Sequence, residues 1–170
     1  MVSLLTALFI GTDYSDGTMR NKLIAGHVRR KIYVANLISN VQASFTLCVA
    51  FMLSHVCVGT PLLGWFVSDA HMLMFYVLVT FTMTAACTAI FTLISMLCSN
   101  KAYSVAGCIL VIFMLLQVYL FLNEFLPGGQ MLRLSSMNAK HLGRYAIYNS
   151  IIFIFTTSCG ILIFKRKDLK

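Results

Sequence analysis

Four stretches without Asp, Glu, Lys or Arg dominate the chain: roughly Val34–Val58, Leu73–Leu97, Val105–Leu122 and Ala146–Phe164. As helices rising 1.5 Å per residue, such stretches reach about 27 to 37 Å, which matches a hydrocarbon core of about 30 Å. Each is long enough to span a bilayer. A membrane β-barrel would instead show segments of about ten residues with alternating polarity, and none occurs. A fifth apolar piece, Met1–Ile10, is too short to cross alone. It lacks the basic start and small-residue cleavage site of a signal peptide. It reads either as a half-membrane helix or as the last half of a span whose beginning is missing.

Composition agrees with this pattern. Of 170 residues, 59% are apolar and 11% charged, and the mean hydropathy is +0.86. A soluble fold needs far more polar surface. The expected architecture is therefore all-α: one polytopic membrane helix bundle over residues 1–170, with four full spans plus an N-terminal partial helix.

Charge then sets orientation. The formal net charge is +8, from 13 Lys and Arg against 5 Asp and Glu. Gly11–Tyr33, Cys98–Ser104 and the tail 165–170 share one side if the spans alternate, and they hold ten of the basic residues. Gly59–Met72 and Asn123–Tyr145 hold the other three, Arg133, Lys140 and Arg144. Positive residues stay on the cytoplasmic side, so the segment 11–33 and the C-terminus are expected there. Basic residues bordering spans point to topology and to anionic lipid, not to nucleic acid.

No span carries Asp, Glu, Lys or Arg, which weighs against proton relays, voltage sensors and intramembrane hydrolases. Asn36, Asn40, Gln42, Gln117 and Asn149 are the amides at depth, a pattern typical of interhelical hydrogen bonds. In the second span Thr80, Thr84, Thr88 and Thr92 recur every four residues. This stripe serves close helix packing or lines a pathway at a dimer interface. The six cysteines and four histidines show no metal-ligand or redox spacing. Pro127-Gly128-Gly129 marks a turn in the longer exterior loop, which has weakly amphipathic character; Trp65 and Phe66 suit an interface.

Gly11–Tyr33 (GTDYSDGTMRNKLIAGHVRRKIY) is the polar segment with internal design. Thr18 suits an N-cap, Met19 to Ala25 are competent helix formers, and Gly26 suits the left-handed position that closes a helix. Met19 and Leu23 share a face with Ile24 beside it, Arg20, Asn21 and Lys22 point elsewhere, and Asp13 and Asp16 precede the positive end. Tyr33 is expected at the interface. A short amphipathic helix below the membrane suits docking into a groove of another protein; composition alone also fits an ordinary polar loop lying on the membrane surface.

The run Phe9–Arg29 resembles the cytoplasmic segment between the second and third helices of ABC-2 type transporter permeases. There an acidic-aromatic stretch precedes Gly-Thr, Arg, Leu, a small residue and a basic residue. The ending Phe164-Lys165-Arg166-Lys167-Asp168-Leu169-Lys170 is similar to that family's tail. The resemblance implies that Thr18–Gly26 is the coupling helix, with Gly17, Thr18, Met19, Arg20, Leu23, Gly26 and Arg29 meeting a cytosolic ATP-binding cassette subunit. It implies a second permease chain and a multi-pass place in a bacterial plasma membrane. Export would be driven by ATP bound on the partner, since no P-loop (G-x-x-x-x-G-K-[ST]) occurs here; no other cofactor or metal is expected. The family usually has six spans, so the expectation is an N-terminally truncated or a reduced member. A non-transporting scaffold or immunity-type protein is the competing reading.

Overall fold

The computed structural model describes residues 2–54, 57–58, 70–98, 100–118 and 139–166. Six helices form among them, with no strand: α1 (Val2–Ser15), α2 (Thr18–Ile24), α3 (Arg29–Ser54), α4 (Ala70–Leu97), α5 (Lys101–Val118) and α6 (Ala139–Arg166). Gly59–Met72 lies outside the described residues up to position 69, as does Asn123–Tyr145 up to 138. The expected turn at Pro127, the aromatics Trp65 and Phe66, and the side chain of Gln117 fall there too.

Three helical segments are long and apolar enough to cross a membrane: Arg29–Ser54, Met74–Leu97 and Gly143–Lys165. The apolar stretch at Lys101–Leu115 is shorter. The helices begin earlier than the apolar runs. α3 takes in the basic run Arg29–Lys31, because arginine and lysine are good helix formers whose long stems lie along apolar surface. α5 starts at Lys101 because the Asn100 side-chain oxygen accepts from the Ala102 N–H at 3.2 Å, an N-cap bond.

α4 is the centre, packing against α6, α3, α1 and α5. Its window of membrane length is 39% buried, against 17% for α3 and α6, so those two give most of their surface to surroundings of another kind. Their exposed residues include Ile38, Phe51, Ile154, Phe155 and Leu162, as expected of helices facing lipid.

α3 and α4 run antiparallel in a regular register. Asn40 Nδ2 donates to Thr92 Oγ1 at 3.2 Å. One turn on, Thr88 Oγ1 lies 3.0 Å from Ser44 Oγ and 2.7 Å from the Thr84 carbonyl, which share its proton. Next, Thr84 Oγ1 approaches Cys48 Sγ at 4.0 Å, and Phe45 meets Phe81 edge-on at 5.0 Å. Four-residue steps on both helices keep small polar groups opposed, so hydroxyls are satisfied without water.

α1 is no loose fragment. It runs 14 residues, five beyond the expected partial helix 1–10, and buries Ser3, Ala7 and Gly11 on one stripe. A methyl on Gly11 would sit 3.1 Å from the Lys101 Cα, so glycine permits the close approach to α5.

The cores of five helices converge near the α3 start: Ile10, Met19, Ile32, Tyr33, Leu37, Ala89, Met96 and Phe164. Lys22, Arg29, Lys101 and Lys165 belong to this end of the bundle. Arg144 adjoins Tyr145, which packs on Val79, about 25 Å along α4 from Met96. Charge is thus segregated between the two ends of the fold.

Candidate coupling surface

α2 hangs between α1 and α3 through two left-handed glycines, Gly17 at φ 69° and Gly26 at φ 84°. Thr18 is not the N-cap. Gly17 occupies that position, makes no side-chain cap, and Thr18 is the first helical residue; the left-handed turn demands glycine at the cap, one residue before the threonine whose hydroxyl was expected there. The C-terminus forms as expected. The Gly26 N–H donates to the Leu23 carbonyl at 3.0 Å and the His27 N–H to the Lys22 carbonyl at 3.1 Å, the paired bonds of a Schellman closure.

The helix is tied to the bundle rather than free beneath it. Met19 is 2% exposed, and its sulfur accepts from Asn36 Nδ2 at 3.8 Å. Leu23 is half-buried against the same core. Lys22 Nζ lies 2.9 Å from Asp13 Oδ2, joining α2 to the end of α1. Tyr14 donates from its hydroxyl to the Met96 carbonyl at 2.9 Å. Burial, with a smaller contribution from Cys98, pushes the Tyr14 phenol up to about 12, so it remains a proton donor well above the ordinary tyrosine range.

This geometry reassigns the docking face. Met19 and Leu23 turn inward, whereas Arg20, Asn21 and Ile24 are exposed, Ile24 at 76%. Val28 follows at 59%. An amphipathic pattern identifies an apolar face but not whose core it enters, and here the bundle itself takes it. Gly26 is exposed and Arg29 half-buried. Arg29 Nη1 donates to the Lys165 carbonyl at 3.4 Å, bridging the start of α3 to the end of α6. Asp13, expected at the positive end of α2, instead meets Lys22.

The threonine stripe lies elsewhere. Thr88 and Thr92 are fully buried against Ser44 and Asn40 of α3, and Thr80 and Thr84 are half-buried. α3 occupies this stripe over three turns. Among the described residues no three His, Cys, Asp or Glu side chains are placed to hold a metal.

Comparison with protein-family models, curated proteins and solved structures finds no match to this chain. What the surface can do is therefore argued from its own chemistry: an apolar knob, Ile24, beside a cationic donor, Arg20, on a short helix anchored by buried Met19 and half-buried Leu23. Asn36, one of the amides expected to bond between helices, anchors α2 through Met19; Tyr14 as an anchor to Met96, 82 residues away, carried no signal in the local sequence.

Proposed function

We propose that the chain is a membrane permease subunit of an ABC-2 type transporter. It would pair with a second permease chain and with cytosolic ATP-binding cassette subunits that bind and hydrolyse ATP. In this reading the bundle crosses a bacterial plasma membrane, α5 completes a fourth span, and the basic end with the C-terminus faces the cytoplasm. Export of a substrate between the two permeases follows from the resemblance.

The observation that carries the reading is the attachment of α2. A helix that merely binds a partner needs an exposed face; a helix that passes on a partner's movement also needs a firm hold on the spans. α2 has both, with Arg20 and Ile24 outward and Met19 packed into the five-helix core. Arg20 offers charge-assisted hydrogen bonds to an acidic rim.

The test is co-expression with an ATP-binding cassette subunit, followed by co-purification, ATPase and transport assays. Arg20→Glu is expected to lower transport-coupled ATPase by roughly 10- to 100-fold, the range for losing a charged hydrogen bond of about 1.5–3 kcal/mol. The bundle should be unaffected, since Arg20 is exposed. Full coupled activity in that variant would remove the role. Absence of any ATPase partner, with activity retained by the chain alone, would favour the scaffold or immunity-type reading.

A further inference from the structure

We propose that Asp168 and Leu169 of the chain's own tail occupy the groove between the first turn of α3 and the last turns of α6, clasping the two helices together. The groove encloses about 610 Å³, within the roughly 300–1,000 Å³ of a typical ligand pocket. Val28 and Arg30 line it at the start of α3, and Ser158, Ile161, Leu162 and Lys165 line it from α6.

The α6 wall has a regular spacing. Ser158, Ile161, Leu162 and Lys165 recur at steps of three and four, the pattern of a single helix face. Three and four residues after Lys165 come positions 168 and 169, the next two of that pattern, and the sequence puts Asp168 and Leu169 there. Residues 167–170 lie outside the described residues, but their reach is fixed by the chain. Even fully extended, three steps carry Asp168 no more than about 11 Å from Lys165.

Charge and polarity match the same two residues. The mouth is basic, with Arg30 and Lys165 exposed, and the wall is apolar, with Leu162 65% and Val28 59% exposed. An acid followed by a leucine answers both. The chain has five acids. Asp13 pairs with Lys22, Asp16 accepts from Ser15 before α2, and Asp69 and Glu124 belong to the connections that enter α4 and α6 at the opposite end. Asp168 is the acid that the chain delivers to the groove. The Arg29 bond to the Lys165 carbonyl at 3.4 Å already holds α3 to the turn from which the tail departs. Tethering gives Asp168 an effective concentration in the millimolar range, ahead of a dilute free anion. The clasp rests on the bundle alone and stands apart from the transporter reading.

Photo-crosslinking is the test, with p-benzoylphenylalanine placed at position 169 of the full chain in neutral detergent and attachment sites read by peptide mass spectrometry. Attachment to Val28–Arg30 is expected. Asp168→Asn should lower its yield about 1.5- to 5-fold, the range for an exposed ion pair. Arg30→Asp should lower it at least as far, and Arg30→Asp with Asp168→Arg should restore it. Lys101→Gln, at the same end but outside the groove, should leave it unchanged. Attachment to α6 or detergent without α3, or a yield indifferent to Asp168 and Arg30, would overturn the clasp. In vesicles of phosphatidylglycerol and phosphatidylcholine the same attachment is expected; labelled lipid in place of α3 would give the groove to the bilayer and overturn the proposal.

Discussion

Gly160→Ala tests the tightest helix contact in the fold. Tyr33 is fully buried at the start of α3, and its ring lies directly on the α6 backbone at Gly160. A methyl group there would collide with Tyr33 Oη and Cζ and lie 2.9 Å from Cε2. The ring cannot swing away, since Phe164 flanks it at 6.2 Å between centroids and Ile32 and Leu37 complete the cluster. Overpacking of this kind costs about 1–3 kcal/mol. Alanine recovers up to about 1 kcal/mol of helix propensity over glycine. The net expectation is a loss of about 1–2 kcal/mol. Tyr33→Phe moves the other way: its hydroxyl is buried without a hydrogen-bond partner, and an unsatisfied buried polar group costs about 1–3 kcal/mol. Removing it should stabilise the chain or leave it unchanged. Thermal unfolding in detergent, followed by a maleimide dye that reacts with cysteines as they become exposed, reads both, since Cys108 is buried and Cys87 and Cys159 are half-buried. Gly160→Ala should melt several degrees lower, and adding Tyr33→Phe should recover part of the loss because the hydroxyl is one of the colliding atoms. Wild-type melting in Gly160→Ala, or a marked loss in Tyr33→Phe alone, would refute this placement of the ring.

Two other perturbations probe different links. Gly26→Ala meets no neighbour within 4 Å, so its cost is conformational: a left-handed φ of 84° disfavours alanine by about 1–2 kcal/mol. Protease nicking at 25–28 should rise in Gly26→Ala and less in Gly26→Asn, which tolerates that region; equal nicking would refute the closure. For the α3–α4 register, a double-mutant cycle of Asn40→Ala and Thr92→Ala should give a coupling of about 0.6 kcal/mol, and no more than about 1.7. A coupling of zero in the same melting assay would mean that the Asn40–Thr92 bond contributes nothing to stability.

Three of the four expected spans were legible, because long runs free of charge have one favourable solvent; the fourth is met only by the shorter apolar stretch Lys101–Leu115. The helix ends were not legible. Hydropathy reports which side chains prefer lipid, whereas a helix continues wherever backbone and caps permit; hence α3 includes Arg29–Lys31 and α5 reaches back to the Asn100 cap. The threonine stripe was visible from its spacing, and its partner on α3 obeys the same spacing through Asn40, Ser44 and Cys48. Pairing those two stripes required knowing which helices touch. Tyr33 shows the opposite failure: an aromatic beside basic residues suits an interface, yet the absence of a side chain at Gly160 opens a slot that takes the ring inside. That slot belongs to a residue 127 positions away, so no local pattern around Tyr33 reveals it.

The inward turn of Met19 bears most on function. Had Met19 and Leu23 both faced outward, α2 would offer more apolar surface to a partner but would hang from two glycine hinges, and movement of the partner would be absorbed in the turns at Gly17 and Gly26. With Met19 buried against Asn36, and Tyr14 bonded to the Met96 carbonyl, the segment is fastened to α3 and to α4 at separate points. α4 in turn packs on every other long helix of the bundle. A force applied at Arg20 and Ile24 therefore meets packed side chains within one helical turn, and these are discrete contacts that resist continuous deformation. If α2 is a coupling element, its efficiency should depend on Met19 more than on the wider exposed surface. Met19→Ala, which empties buried volume and leaves Arg20 and Ile24 in place, should then preserve partner binding while reducing coupled ATPase.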